Sequence, residues 1–270
     1  MANTMAVRVA RSFRTTAGVL VAGTLMALST AHAALGGDEQ RRPLDSSPPA
    51  GTVTPNPDAG DLLLRAAEAG NAEAMNILGV LFVVGSRVPR DYSTALYWFQ
   101  KAIDAGSSTA MNNVATMYLF GLGVPRDSAN AFRLLERAAA RGDVHSMYSV
   151  AVMADEGFGT SRDPSLARTM FRKAAESGYA PAMVRISDDY ARGSGVRPDL
   201  VEAYAWLQVA LERNESEDLQ ISVLSKMAHL ETRLAPQRRD AARVRAAELS
   251  AAMKARPTDR NDSAAKLIQT

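Results

Sequence analysis

The stretch AMNILGVLFVVGSRVPRDYSTALYWFQKAIDAGSST, from Ala74 to Thr109, recurs at an interval of 36 residues. Ala110 to His145 aligns with it, then Ser146 to Pro181, then Ala182 to about Leu211, without a gap. Met75, Met111, Met147 and Met183 share a column, as do Gly85, Gly121, Gly157 and Gly193, and Asp91, Asp127, Asp163 and Asp199. A further glycine column holds Gly70, Gly106, Gly142 and Gly178. A period of this size marks a solenoid, in which each repeat is one supersecondary unit stacked on its neighbours.

Each repeat reads as two helices. In the first, Ala74, Ile77, Leu78, Leu81 and Phe82 fall on one amphipathic stripe. Gly85 ends it, and Pro89 prevents its continuation. Asp91 is placed to accept from the free N–H groups that open the second helix, and Asp163-Pro164 strengthens that reading. The second stripe is Ala95, Trp98, Phe99, Ala102 and Ile103, stopped by Gly106. One helix pair cannot bury both stripes, whereas stacked pairs can. Copy four is polar at Arg185 and Asp189, where the first-helix stripe calls for apolar side chains.

Columns such as Ala74, Leu78, Gly79, Phe82, Gly85, Val88, Asp91, Ala95, Trp98, Ala102 and Gly106 resemble the Sel1-like repeat, a relative of the tetratricopeptide repeat. Gly121-Leu122-Gly123-Val124 gives that family's turn outright. The resemblance covers residues 61–211 and implies an all-α, right-handed α/α solenoid of helix–turn–helix repeats. It also implies a role in protein–protein interaction.

The remaining segments frame this array. Residues 1–33 read as a secretory signal peptide: Arg8, Arg11 and Arg14, an apolar run from Ala17 to Leu28, then Ala31-His32-Ala33 as a cleavage site. Cleavage is expected after Ala33, with export to the periplasm or beyond and no membrane-spanning helix thereafter. Residues 34–60 are rich in Pro, Gly, Asp, Ser and Thr and read as a disordered linker. A half-repeat from Asp61 to Ala69 opens the fold. Residues 212–255 hold two aperiodic helical patterns, expected to cap the solenoid. Residues 256–270 read as a polar, disordered tail.

The full chain has 31 basic and 29 acidic residues. Removing the three signal arginines leaves 28 against 29, which gives no electrostatic case for nucleic-acid binding. There is no cysteine, hence no disulfide or thiol chemistry. His145 and His229 lack ligand partners at metal-binding spacing, and no cofactor is expected. The paired glycines at Gly121/Gly123, Gly157/Gly159 and Gly193/Gly195 follow the repeat period with no preceding strand, so they are turns rather than phosphate cradles. The arginines at 238, 239, 243 and 245 read as a solvated helix face.

The inner face of the solenoid is the remaining candidate. By register with tetratricopeptide grooves, the partner-binding positions are Asn76, Val80, Val83, Asn112, Thr116, Leu119, Tyr148, Val152, Asp155, Val184 and Asp188. The reading is a non-catalytic scaffold or regulator of the bacterial envelope, not an enzyme. It would bind a protein or extended peptide, for which an envelope sensor kinase or export and polysaccharide machinery are the family's examples. The resemblance also carries an alternative, β-lactam binding or hydrolysis, but no nucleophile–base pair stands beside it. A third alternative, cell-wall fragment binding through Trp98, Trp206 and Tyr148, conflicts with both tryptophans lying on core stripes.

Overall fold

The computed structural model describes residues 59–85, 88–214 and 216–255. The signal peptide, the linker and the polar tail expected from the sequence lie outside that range, apart from the linker's last two residues. Among the described residues there are eleven helices and no strand. They are α1 (Ala59–Glu68), α2 (Ala72–Val84), α3 (Tyr92–Asp104), α4 (Ser108–Phe120), α5 (Ser128–Ala140), α6 (Val144–Glu156), α7 (Pro164–Glu176), α8 (Ala180–Arg192), α9 (Leu200–Arg213), α10 (Glu217–Glu231) and α11 (Pro236–Ala255). The chain resolves into two compact units, with the boundary inside α4 between Thr116 and Met117.

The helix borders follow from the repeat columns. Asp91, Asp127, Asp163 and Asp199 each cap the second helix of a repeat through a side-chain oxygen. Gly85, Gly157 and Gly193 close first helices in the left-handed conformation, with their N–H groups returning to Leu81, Met153 and Asp189 carbonyls. First-helix starts have caps of their own: Asn71, Ser107 and Asp143 accept from Ala74, Ala110 and Ser146 N–H at 2.9, 3.1 and 2.7 Å. The fourth position of that column is Tyr179, which cannot cap, and Pro181 in the first turn stands in. Asp143→Ala should therefore lower stability by about 1 kcal/mol, read as a shifted urea midpoint at constant slope.

In the first unit, α2 packs on α1 and on α3. Ala74, Leu78, Ala95, Phe99, Ala102 and Val114 are buried, as their stripes require. Ile77, Leu81, Phe82 and Trp98 are only half-buried. Trp98 meets the exposed Tyr97 edge-on, with the Lys101 ammonium 5.7 Å from its ring centre.

In the second unit α5 packs on α6, α6 on α7, α7 on α8 and α8 on α9, the neighbour-to-neighbour order of an α/α solenoid. Its core includes Ala151, Phe171, Met183, Trp206, Leu207 and Val209. The aperiodic helices α10 and α11 both pack on α9 and bury Val223, Leu230, Ala246 and Leu249, so they cover the last repeat's apolar face. The arginine stripe of α11 divides: Arg238 and Arg243 are exposed as expected, whereas Arg239 and Arg245 are half-buried. Arg245 forks onto Glu202 and also reaches Glu248, while Arg239 donates to the Leu234 and Glu231 carbonyls.

Candidate functional site

The eleven inner-face positions fall into two groups. Within the first unit, Asn76 is 5% exposed and accepts a hydrogen bond from Asn113 Nδ2 at 2.8 Å. Asn112 is 6% exposed. The two amides are interior groups, and Asn76 is satisfied within the fold. Val80, Val83 and Thr116 are half-buried, with the Thr116 hydroxyl donating to the Asn112 carbonyl. In the second unit Leu119 and Val184 are buried. Tyr148, Val152, Asp155 and Asp188 remain partly open, on α6 and α8.

Those four lie among side chains that give this face its character. Tyr148 meets Phe171 and Tyr179 edge-on at 5.4 and 5.2 Å, and His145 meets Tyr179 at 5.1 Å. Burial raises the Tyr148 phenol above its ordinary pKa; burial, with Tyr148 and Asp143 adding to it, raises Tyr179 further. Both are neutral hydroxyls at any physiological pH.

Beside the rings runs a ladder of ion pairs. Asp155 of α6 pairs with Arg185 of α8, whose guanidinium also covers the Phe171 ring at 5.2 Å. Asp188 of α8 pairs with Lys226 of α10 at 2.6 Å and with Arg192 at 3.4 Å. Partly exposed pairs of this kind add little stability. They do fix which charges face outward. Arg185, a break in the apolar stripe by sequence, is thus explained: it leaves the core to join α6 and α8.

Two clefts open on this part of the second unit. One, of about 320 Å³, is bordered by Asp155, Arg162, Arg168, Phe171, Arg185 and Asp189. The other, of about 450 Å³, lies against α8, α9 and α10 and includes Asp188, Lys226 and His229. Arg168, Arg185, Asp189 and Lys226 were not among the sequence-selected positions. For Arg168 and Asp189 the signal was the breaking of an apolar column; the Arg185 column is already polar at Asn113 and Ser149, and Lys226 lies beyond the repeats, where no column exists. Among the described residues no three histidine or carboxylate side chains are grouped to hold a metal ion. Within the same range no helix is long and apolar enough to cross a membrane.

The Sel1 repeat family model matches residues 72–107, 108–143, 144–179 and 180–215, more than half of the chain and with the same 36-residue period. The chain belongs to the Sel1 repeat family. Sel1 repeat proteins are generally protein-interaction scaffolds and typically non-catalytic.

Two solved structures are similar. One is c5321, a protective antigen of uropathogenic Escherichia coli with an SLR fold: 26% identity, TM-score 0.60, covering 71% of this chain and 40% of that one. The other is a Sel1 repeat protein from Oxalobacter formigenes: 26% identity, TM-score 0.54, covering 60% of this chain and 67% of that one. The chain thus spans less than half the length of the E. coli protein it matches. No curated protein matches it.

Proposed function

We propose that this Sel1 repeat protein is a non-catalytic scaffold or regulator of the bacterial cell envelope, and that it holds a partner protein segment on the face formed by α6, α8 and α10. The observation that carries this reading is the charge-laddered, aromatic-edged face of the second unit. Asp155–Arg185 joins α6 to α8 and Asp188–Lys226 joins α8 to α10, and two clefts flank them. Such a face offers fixed charges for register and ring edges for apolar contact. The envelope assignment is supported by the N-terminal pattern of Arg8, Arg11 and Arg14, an apolar run and Ala31-His32-Ala33.

A photo-crosslinking amino acid tests the surface without depending on the stability of a deletion. Placed at Val152 or Arg185 in the native host, it should give one protein adduct. Placed at Lys173, exposed on α7, it should give none. Adducts at Lys173 but not at Val152 or Arg185 would move the interface elsewhere. Localisation has its own readout: the mature chain should begin at Ala34 and fractionate with periplasmic or secreted proteins.

A further inference from the structure

The cleft bordered by α7 and α8 exists because two repeat columns change character together. One column reads Leu96, Phe132, Arg168 and Tyr204; Phe132 and Tyr204 are 6% and 5% exposed. The other reads Leu81, Met117, Met153 and Asp189; Met117 and Met153 are each 1% exposed. Phe132 and Met153 thus fill the core where repeats two and three meet. Where repeats three and four meet, the same two places hold Arg168 and Asp189. A guanidinium and a short carboxylate have replaced an aromatic ring and a thioether, and about 320 Å³ stands open beside them. Interiors are normally close-packed, so such a gap lowers stability.

The charges within the cleft are unequally committed. Asp155 is held by Arg185 and, at 3.9 Å, by Arg162; Asp188 is held by Arg192 and Lys226. Arg168 makes no ion pair or hydrogen bond among the described residues. Its guanidinium lies flat against bare Gly195, where a Cβ would overlap it. Gly195 has φ +69, so the turn needs glycine for its backbone as well. One face of the guanidinium is therefore braced by the turn, and Arg168 borders the cleft. Asp189, half-buried, is pushed toward its neutral form by burial, against the pull of Arg185 and Arg168. Asp189 makes no ion pair with either arginine among the described residues.

We propose that this cleft is a carboxylate-binding anchor of the interaction face, in which the Arg168 guanidinium takes a carboxylate of the partner. A planar fork suits bidentate recognition of that group. The proposal rests on the partner-binding reading above and adds the chemistry of one contact. Side-chain and C-terminal carboxylates present the same group, and the probes must separate them.

The test uses fluorine-labelled, amidated Ala-Ala-Glu-Ala-Ala, its Gln counterpart, and Ala-Ala-Gln-Ala-Ala with a free C-terminus, titrated with the mature protein and followed by ¹⁹F NMR. Saturable binding is expected for one of the carboxylate peptides, which names the source, and not for the amidated Gln peptide. R168Q should weaken binding at least tenfold, while R172Q, exposed on α7, leaves it unchanged. The paired change R168F/D189M restores the side chains of the preceding repeat. It should abolish binding and raise the thermal midpoint by about 4 °C or more, because a ligand site has replaced a packed core. Equal binding of the amidated Gln peptide, no saturable binding at all, or an R168Q variant that binds like R172Q would overturn the proposal. In those cases crosslinking at Val152 and Arg185 still decides the interaction face by itself.

Discussion

Gly159→Ala should lower stability by about 3 kcal/mol or more, and Gly142→Ala by only about 1 kcal/mol. Both glycines have positive φ, +73 and +91, a region that costs an L-residue roughly 1–2 kcal/mol. The difference lies in what a methyl group meets. At Gly142 there is nothing within 4 Å. At Gly159 a Cβ would overlap the carbonyl carbon and oxygen of Ser128 and come within 3.0 Å of Met153 Cε. Ser128 opens α5, in the preceding repeat, and a helix backbone cannot step aside as a side-chain tip can. Overpacking of this kind typically adds about 1–3 kcal/mol to the backbone strain. Gly159 is therefore a stacking residue: its missing side chain sets how closely the third repeat's turn approaches the second repeat's helix. Urea denaturation of the two variants measures the gap, and equal losses would show that backbone strain alone governs these turns.

The turn glycines also show how much of the architecture could be read in advance. A 36-residue period with aligned glycines and aspartates already determines where helices start and stop, because caps are local chemistry. The pattern of Asp127 followed by a helical stripe requires no knowledge of the neighbours. The first-helix caps Asn71, Ser107 and Asp143 were equally local. They were passed over because three different residue types share that column, and Tyr179 breaks it. Burial was less legible. Ile77 and Phe82 sit on the correct stripe yet are half-open, because how deeply a stripe sinks depends on what the adjoining helix presents to it.

The candidate interaction face was legible only in part, for a related reason. Register assigned Asn76 and Asn112 to a groove, but register fixes direction around a helix and not the depth of the neighbouring surface. The buried Asn76–Asn113 hydrogen bond closes over that position. Tyr148, Val152, Asp155 and Asp188 lie where the helices leave room. The more telling residues, Arg168 and Asp189, depart from the repeat instead of following it. In a repeat array the consensus describes packing, so chemistry resides where a column changes polarity.

Phe99→Ala should lower stability by about 3–5 kcal/mol, and its neighbour Gly79 gives that number a second, sharper test. Phe99 is 1% exposed on α3, and its ring lies on the bare Cα of Gly79 in α2, where an added Cβ would come within 2.5 Å of ring atoms Cδ1 and Cε1. The corresponding columns read Gly79, Ala115, Ala151, Ser187 and Phe99, Leu135, Phe171, Leu207. Gly79→Ala in the wild-type background should thus lose about 1–3 kcal/mol by overpacking, although alanine is about 1 kcal/mol the better helix former. In the Phe99→Ala background the ring is gone. The same change should then gain about 1 kcal/mol, as the helix preference acts unopposed and the methyl fills part of the cavity. The opposite signs amount to a coupling energy of about 2–4 kcal/mol, at or just above the upper range for residues in direct contact. Additive losses would mean that α2 and α3 adjust their spacing freely, and that the bulky-over-small pairing does not hold this repeat together.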